Sequence, residues 1–336
     1  MSAPTRLDPT VSASTPTATA DHAPSSTARA GFDLQSAGSL LMGAAVLSWT
    51  GILVALADTG AATASFWRCA LALVVLVPWA VAEYRRHGAV SLRYVGRALL
   101  SGLFLGADFL LWTRAVLESG AGIANVVLNV QVVALPLIAW AVAREKIAPR
   151  LLLAAPLLLG GIALAGGALG AGVSGPDPVH GALLGTLAGV AYSGFLYLNR
   201  TAAQQQPRHM VTPVMLATVA AGVVSGVAGL LTGGIEVSLP AHSWAWLIVL
   251  ALTGQVVSWL LIGRGSAGLP SGTASALLLA HPVLSVVFGM IVLGEQLNVW
   301  QVLGCVVVVG TVAWVARPPR AARASRDQSS MRSEPV

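Results

Sequence analysis

The chain has 336 residues, of which 56% are hydrophobic and 10% charged, and its formal net charge is +6. A soluble domain carries about 25% charged residues, so a chain this poor in charge cannot cover a water-facing surface. Its 36 glycines suit closely packed membrane helices, and its basic excess is to be read by side of a membrane rather than as a nucleic-acid footprint.

Residues 1–35 are rich in Ser, Thr, Ala and Pro and lack the apolar run of a secretory signal, which predicts a disordered cytoplasmic tail. Beyond it come apolar blocks of about 20 residues, the length that crosses a hydrocarbon core of about 30 Å at about 1.5 Å per residue. They predict ten transmembrane helices near 37–57, 62–82, 97–117, 121–142, 149–169, 180–199, 211–232, 243–263, 270–292 and 297–316. Trp49 lies in the first span, and Arg68 about a turn inside the second, next to Cys69. Asp108 is at the middle of the third, with Trp112 four residues on and therefore on the same face. The fourth repeats that spacing with Asn125 and Asn129, a register that points Gln131 elsewhere. Tyr192 is in the sixth span, Gln255 and Trp259 share a face of the eighth, and the ninth holds Ser275, His281 and Ser285. Residues 317–336, with their Arg and Ser, predict a second disordered cytoplasmic tail. Cys69 and Cys305 sit in apolar blocks without metal-ligand spacing, so buried thiols are expected, with no disulfide, no metal and no cofactor.

Ten spans with both termini inside place every basic residue except Arg68 and Arg114 on the inner side. An odd number of spans would carry Arg317 and the basic residues after it outside, against the positive-inside bias. The expected location is therefore the inner membrane, with cytoplasmic termini.

The sequence also matches itself. A shift of 150 residues aligns 122–163 with 272–313 without a gap, pairing Gly122 with Gly272, Glu145 with Glu295 and Gly160 with Gly310. A shift of 143 pairs Gly38 with Gly181 and Gly51 with Gly194, and sets Trp49 opposite Tyr192. Two units are expected, 36–170 and 180–316. Each holds five spans, an odd number, so the second must insert upside down relative to the first, the arrangement of carriers that alternate access to a midplane site.

At Phe66-Trp67-Arg68, Ala143-Arg144-Glu145-Lys146, Gly254-Gln255 with Ser258-Trp259, Gly272-Thr273-Ala274, His281-Pro282-Val283 and Leu293-Gly294-Glu295, the chain resembles the EamA-type families of the drug/metabolite transporter superfamily. The similarity covers about 37–316. It implies a ten-helix basket around a central cavity, cytoplasmic termini, and export of amino acids or other small metabolites. The first half departs from the pattern: Val130-Gln131-Val132 stands where the second half has Ala280-His281-Pro282.

A charge at the centre of a membrane helix costs about 2.5–3.5 kcal/mol on insertion scales, so Arg68 and Asp108 each need a partner or a wet cavity. Trp49, Arg68, Asp108, Trp112, Asn125, Asn129, Tyr192, Gln255, Trp259 and His281 are the candidates to line a solute cavity. Helix-to-helix hydrogen bonding is the competing reading of each polar one. Asp108 and His281, the midspan groups that titrate, are the proton-coupling candidates. Glu145 and Glu295 read as interfacial carboxylates paired with a neighbouring cation or amide, and Gly102/Gly106, Gly185/Gly189 and Gly222/Gly226 as seams within one monomer, so no oligomer is implied. No HExxH, GxSxG, Walker lysine or Cys/His cluster occurs, which argues against an enzyme. The expected partners are a small solute, the lipid bilayer and, for coupling, protons. A passive channel or a scaffold remains as the alternative to a carrier.

Overall fold

A computed structural model describes residues 34–147, 149–167, 175–206, 208–267, 269, 274 and 277–316. Ser275, Gly272-Thr273 and both expected tails lie outside these residues, except Leu34 and Gln35 of the first tail, which the structure places in the first helix. Among the described residues every regular element is helical. Eight helices are long and apolar enough to cross a membrane: α1 (Leu34–Ala57), α2 (Ala61–His87), α3 (Leu92–Ser119), α4 (Ala121–Ala143), α6 (Pro178–Gln205), α7 (Thr212–Leu231), α8 (Ala241–Ile262) and α10 (Val299–Ala316). Two shorter apolar helices, α5 (Pro149–Ala165) and α9 (Ala280–Val292), stand where the fifth and ninth spans are expected. The chain is thus a multi-pass membrane protein.

Several helices outrun their apolar blocks. α2 has 27 residues and α3 has 28, because hydropathy marks the stretch that meets lipid, whereas polar residues carry the helix on to its caps. Gly88 (φ +83°) closes α2 through its amide to the Tyr84 carbonyl, and Ser91 caps α3 by accepting from the Tyr94 amide. Asp177 caps α6 in the same way, with Pro178 at the first helical position. Two helices change pitch midway: α4 tightens to a 3₁₀ turn at Leu128–Val130, and α8 widens to a π turn at Leu252–Val257.

The most extensive packing between the halves has an internal order. α3 packs on α6 and α7, α8 on α1 and α2, α4 on α6 and α1 on α9, while α2–α7, α4–α9 and α5–α10 form three further pairs. Exchanging each helix with the one five places along maps this set of pairs onto itself. The seams are tight where glycine allows it: a Cβ on Gly106 of α3 would stand 2.7 Å from Val224 Cβ of α7, and one on Gly189 of α6 would stand 2.6 Å from the Leu128 carbonyl oxygen of α4.

Polar ties pin the helix ends. The Glu83 carboxylate at the end of α2 accepts from the amides of Met210, Val211 and Thr212 and from the Thr212 hydroxyl, at 2.6, 3.1, 2.8 and 2.5 Å. It meets the orphan donors and the positive dipole end of α7. At the opposite end of the same pair, Trp67 Nε1 donates to the Glu236 carbonyl and the Glu236 amide donates to Thr63 Oγ1.

Candidate functional site

A cavity of about 120 Å³ lies where α1, α2, α3, α4, α6, α7, α8 and α9 meet. α2 delivers Arg68 and α3 delivers Asp108, which are 6% and 5% exposed. Arg68 Nη2 donates to Gln255 Oε1 at 3.2 Å, and its guanidinium carbon lies 3.9 Å from the centre of the Phe109 ring and 5.5 Å from that of Trp112. The cation therefore sits over aromatic faces. The π turn in α8 carries Gln255 to it, and Gly254 leaves room there: a Cβ would come within 2.8 Å of Thr50 Cγ2.

Trp112 Nε1 donates to Asn125 Oδ1 at 3.1 Å, and Asn125 Nδ2 donates to Ser285 Oγ at 2.6 Å. One side of the cavity is thereby a braced chain from α3 through α4 to α9. The other side is aromatic: Tyr192 stacks on Phe195 at 5.7 Å, and Phe195 meets Trp259 edge-on at 6.1 Å. His281 completes the lining.

No ion pair joins Arg68 and Asp108. Asp108 Oδ1, Arg68 Nε and Gln131 Oε1 are all buried without a hydrogen-bond partner, and all three residues line this cavity. A buried polar group left unpaired costs about 1–3 kcal/mol, and more when charged. Three on one cavity are an arrangement that a polar occupant would relieve.

Of the sequence candidates, Arg68, Asp108, Trp112, Asn125, Tyr192, Gln255, Trp259 and His281 surround this cavity. Trp49 does not: it is 37% exposed, and its ring lies 5.2 Å from that of Phe288 at a tilt of 37°. Asn129 is turned back onto its own helix, donating to the carbonyls of Asn125 and Val126. Gln131, expected to point elsewhere, lines the cavity. The 3₁₀ turn is the reason. A turn of about three residues rather than 3.6 puts Asn125, Leu128 and Gln131 on one face in place of Asn125 and Asn129. Thr50, Phe109 and Phe195 also line the cavity. Phe109 adjoins Asp108 and Phe195 follows Tyr192 by three, a spacing the sequence offered; Thr50 carried no such signal. Among the described residues no group of three or more His, Cys, Asp and Glu is placed to hold a metal.

The two glutamates that share a sequence register end their helices alike and then differ. Glu145 N–H bonds to the Ala139 carbonyl after Arg144 at φ +55°, and Glu295 N–H to the Gly289 carbonyl after Gly294 at φ +66°. The Glu295 carboxylate accepts from the amides of Ala121 and Gly122, at 2.5 and 3.2 Å. Burial pushes its pKa up, and those two amides hold it back. Glu145 is 48% exposed and stands 4.0 Å from Arg200.

A profile of the EamA-like transporter family matches residues 36–167 and again 179–317. No curated protein matches the sequence. One solved crystal structure is similar with a TM-score of 0.53 over 84% of this chain and 96% of its own, at 18% identity, a likeness of fold alone.

Proposed function

The chain belongs to the EamA-like transporter family, and from that premise we propose that it is a secondary active transporter. It carries small amphipathic solutes, amino acids among them, out across the inner membrane by alternating access. Ten spans cross the bilayer, the eight long helices together with α5 and α9, and both termini are cytoplasmic. Its repeats, 36–170 and 180–316, are inverted. The packing pairs that survive exchange of each helix with the one five places along support this reading, since repeats of five spans must face opposite ways.

The observation that carries the proposal is the set of three buried, unpartnered polar atoms on Arg68, Asp108 and Gln131, residues that all line one cavity. A solute with a carbonyl or carboxylate end and an amine or hydroxyl end would satisfy them, and the aromatic wall of Tyr192, Phe195 and Trp259 would cover its apolar part. Protons are the proposed coupling ion, with Asp108 and His281 on the cavity as the groups that would exchange them. A scaffold needs no such cavity.

The test is metabolite profiling of cells and medium for a bacterium expressing the parent chain, against one expressing Asp108→Asn with Arg68→Ala at equal membrane abundance. Solutes that accumulate outside only with the parent identify an exporter and its substrate class. Coincident profiles would overturn export.

A further inference from the structure

We infer that the Glu295 carboxylate is a latch that shuts one mouth of the cavity by holding the first turn of α4 against the end of α9, and that it leaves the α4 amides when that mouth opens. The inference rests on the alternating-access reading above, but its test does not require a known solute.

The contact is not a by-product of how the helix ends. Glu145 and Glu295 follow the same backbone motif, with a left-handed residue and an amide bonded six residues back. Glu145 reaches the other half only as a half-exposed ion pair with Arg200 at 4.0 Å, whereas the Glu295 carboxylate is seated on two backbone amides of α4. Its seat is built from glycines. A Cβ on Gly120 would stand 2.8 Å from one carboxylate oxygen, and a Cβ on Gly122 or Gly289 would stand 3.0 or 2.5 Å from the other. Gly120 also sits at φ +90°, a conformation that side chains rarely adopt. The bond is charge-assisted and made at the positive end of a helix, so it is stronger than an ordinary amide contact.

Below the latch the α4–α9 seam is zipped as far as the cavity. Ser285 Oγ donates to the Ala121 carbonyl at 3.4 Å and accepts from Asn125 at 2.6 Å. One turn further, Leu128, Gln131 and His281 already face the cavity. α1 closes the third side, with Gly51 so close to Ala121 that a Cβ would come within 2.8 Å of its Cβ. A solute leaving along this seam must part α4 from α9, and the carboxylate is the outermost bond between them.

The experiment uses the full chain with Cys69→Ala and Cys305→Ala, and Leu128→Cys as the sole thiol at the cavity. A charged, membrane-impermeant thiol reagent is added to right-side-out or inside-out vesicles, and the labelling rate is measured. Glu295→Gln is expected to raise the rate at least tenfold from the outer side and to leave the inner side unchanged, while Glu145→Gln does not speed labelling from the outer side. Ala121→Pro removes the shorter of the two donors at a helix position that tolerates proline, and it is expected to reproduce Glu295→Gln. Unchanged labelling in both variants, or equal increases from both sides, would overturn the latch. If labelling responds as expected while no solute moves in any assay, the latch stands and the transport reading is what fails.

Discussion

The α3–α7 seam sets a quantitative test of how the site is held. A Cβ added at Gly102 would stand 2.7 Å from both Ala217 Cα and Ala220 Cβ, against an optimal carbon separation of about 3.5–4.0 Å. The obstacle includes backbone, so α3 and α7 must part by about 1 Å, and overpacking of this kind costs about 1–3 kcal/mol. At Gly222 the nearest atom to an added Cβ is Cys69 Cβ at 3.3 Å. There the gain of about 0.8–1.0 kcal/mol in helix propensity is opposed only by slight crowding. Gly102→Ala is therefore expected to unfold at lower temperature than the parent, and Gly222→Ala within a degree or two of it. Both substitutions gain the same helix propensity, so the variants differ by the overpacking alone, and at about 2–4 °C per kcal/mol their midpoints should be at least about 2 °C apart in fluorescence-detected unfolding in detergent. Because α3 also carries Asp108 and Trp112, Gly102→Ala should weaken transport in proportion. Equal midpoints for the two variants would refute the argument that close approach, rather than composition, fixes this seam.

Glu83→Ala strips four donors at the start of α7 of their acceptor, and is expected to cost about 2–3 kcal/mol; detergent unfolding of this variant beside Glu83→Gln measures it. Trp112→Ala should impair solute export whereas Trp49→Ala should leave it near the parent level, since only Trp112 faces the cavity and braces Asn125; export assays at matched abundance decide. Asn125→Ala is expected to reduce export more than Asn129→Ala, because Asn125 joins α3 to α9 while Asn129 bonds only to its own helix. Arg68→Lys keeps the charge but loses the guanidinium over Phe109 and its planar fork, so the solute concentration at half-maximal export should rise roughly tenfold or more.

Much of this organisation is legible in the residues themselves, because a bilayer leaves few choices. Apolar blocks mark the helices, and the pairing of Glu145 with Glu295 marks a repeat that reappears as matched helix ends. Charge in the wrong medium singles out Arg68 and Asp108. What the sequence withholds is phase. Gln131 and Asn129 exchange places because α4 tightens for three residues, and no residue type there announces it. Trp49 falls outside the cavity lining for a different reason: an aromatic side chain suits a cavity wall and a helix seam equally, and here its ring meets that of Phe288. The Glu83 clamp was invisible because its partners are backbone amides.

The pitch changes in α4 and α8 bear on how selectivity diverges among relatives. A 3₁₀ turn removes a fraction of a residue from a helical turn and a π turn adds one, so each rotates everything beyond it about the helix axis. Which side chains meet the solute is then a matter of rotation as well as of residue identity. A single insertion or deletion near Leu128–Val130 or Leu252–Val257 would present a new stripe to the same cavity while leaving the apolar blocks intact. Paralogues that keep every motif in this chain can thus handle different solutes, and substrate assignment by motif alone should fail most often where these two turns differ.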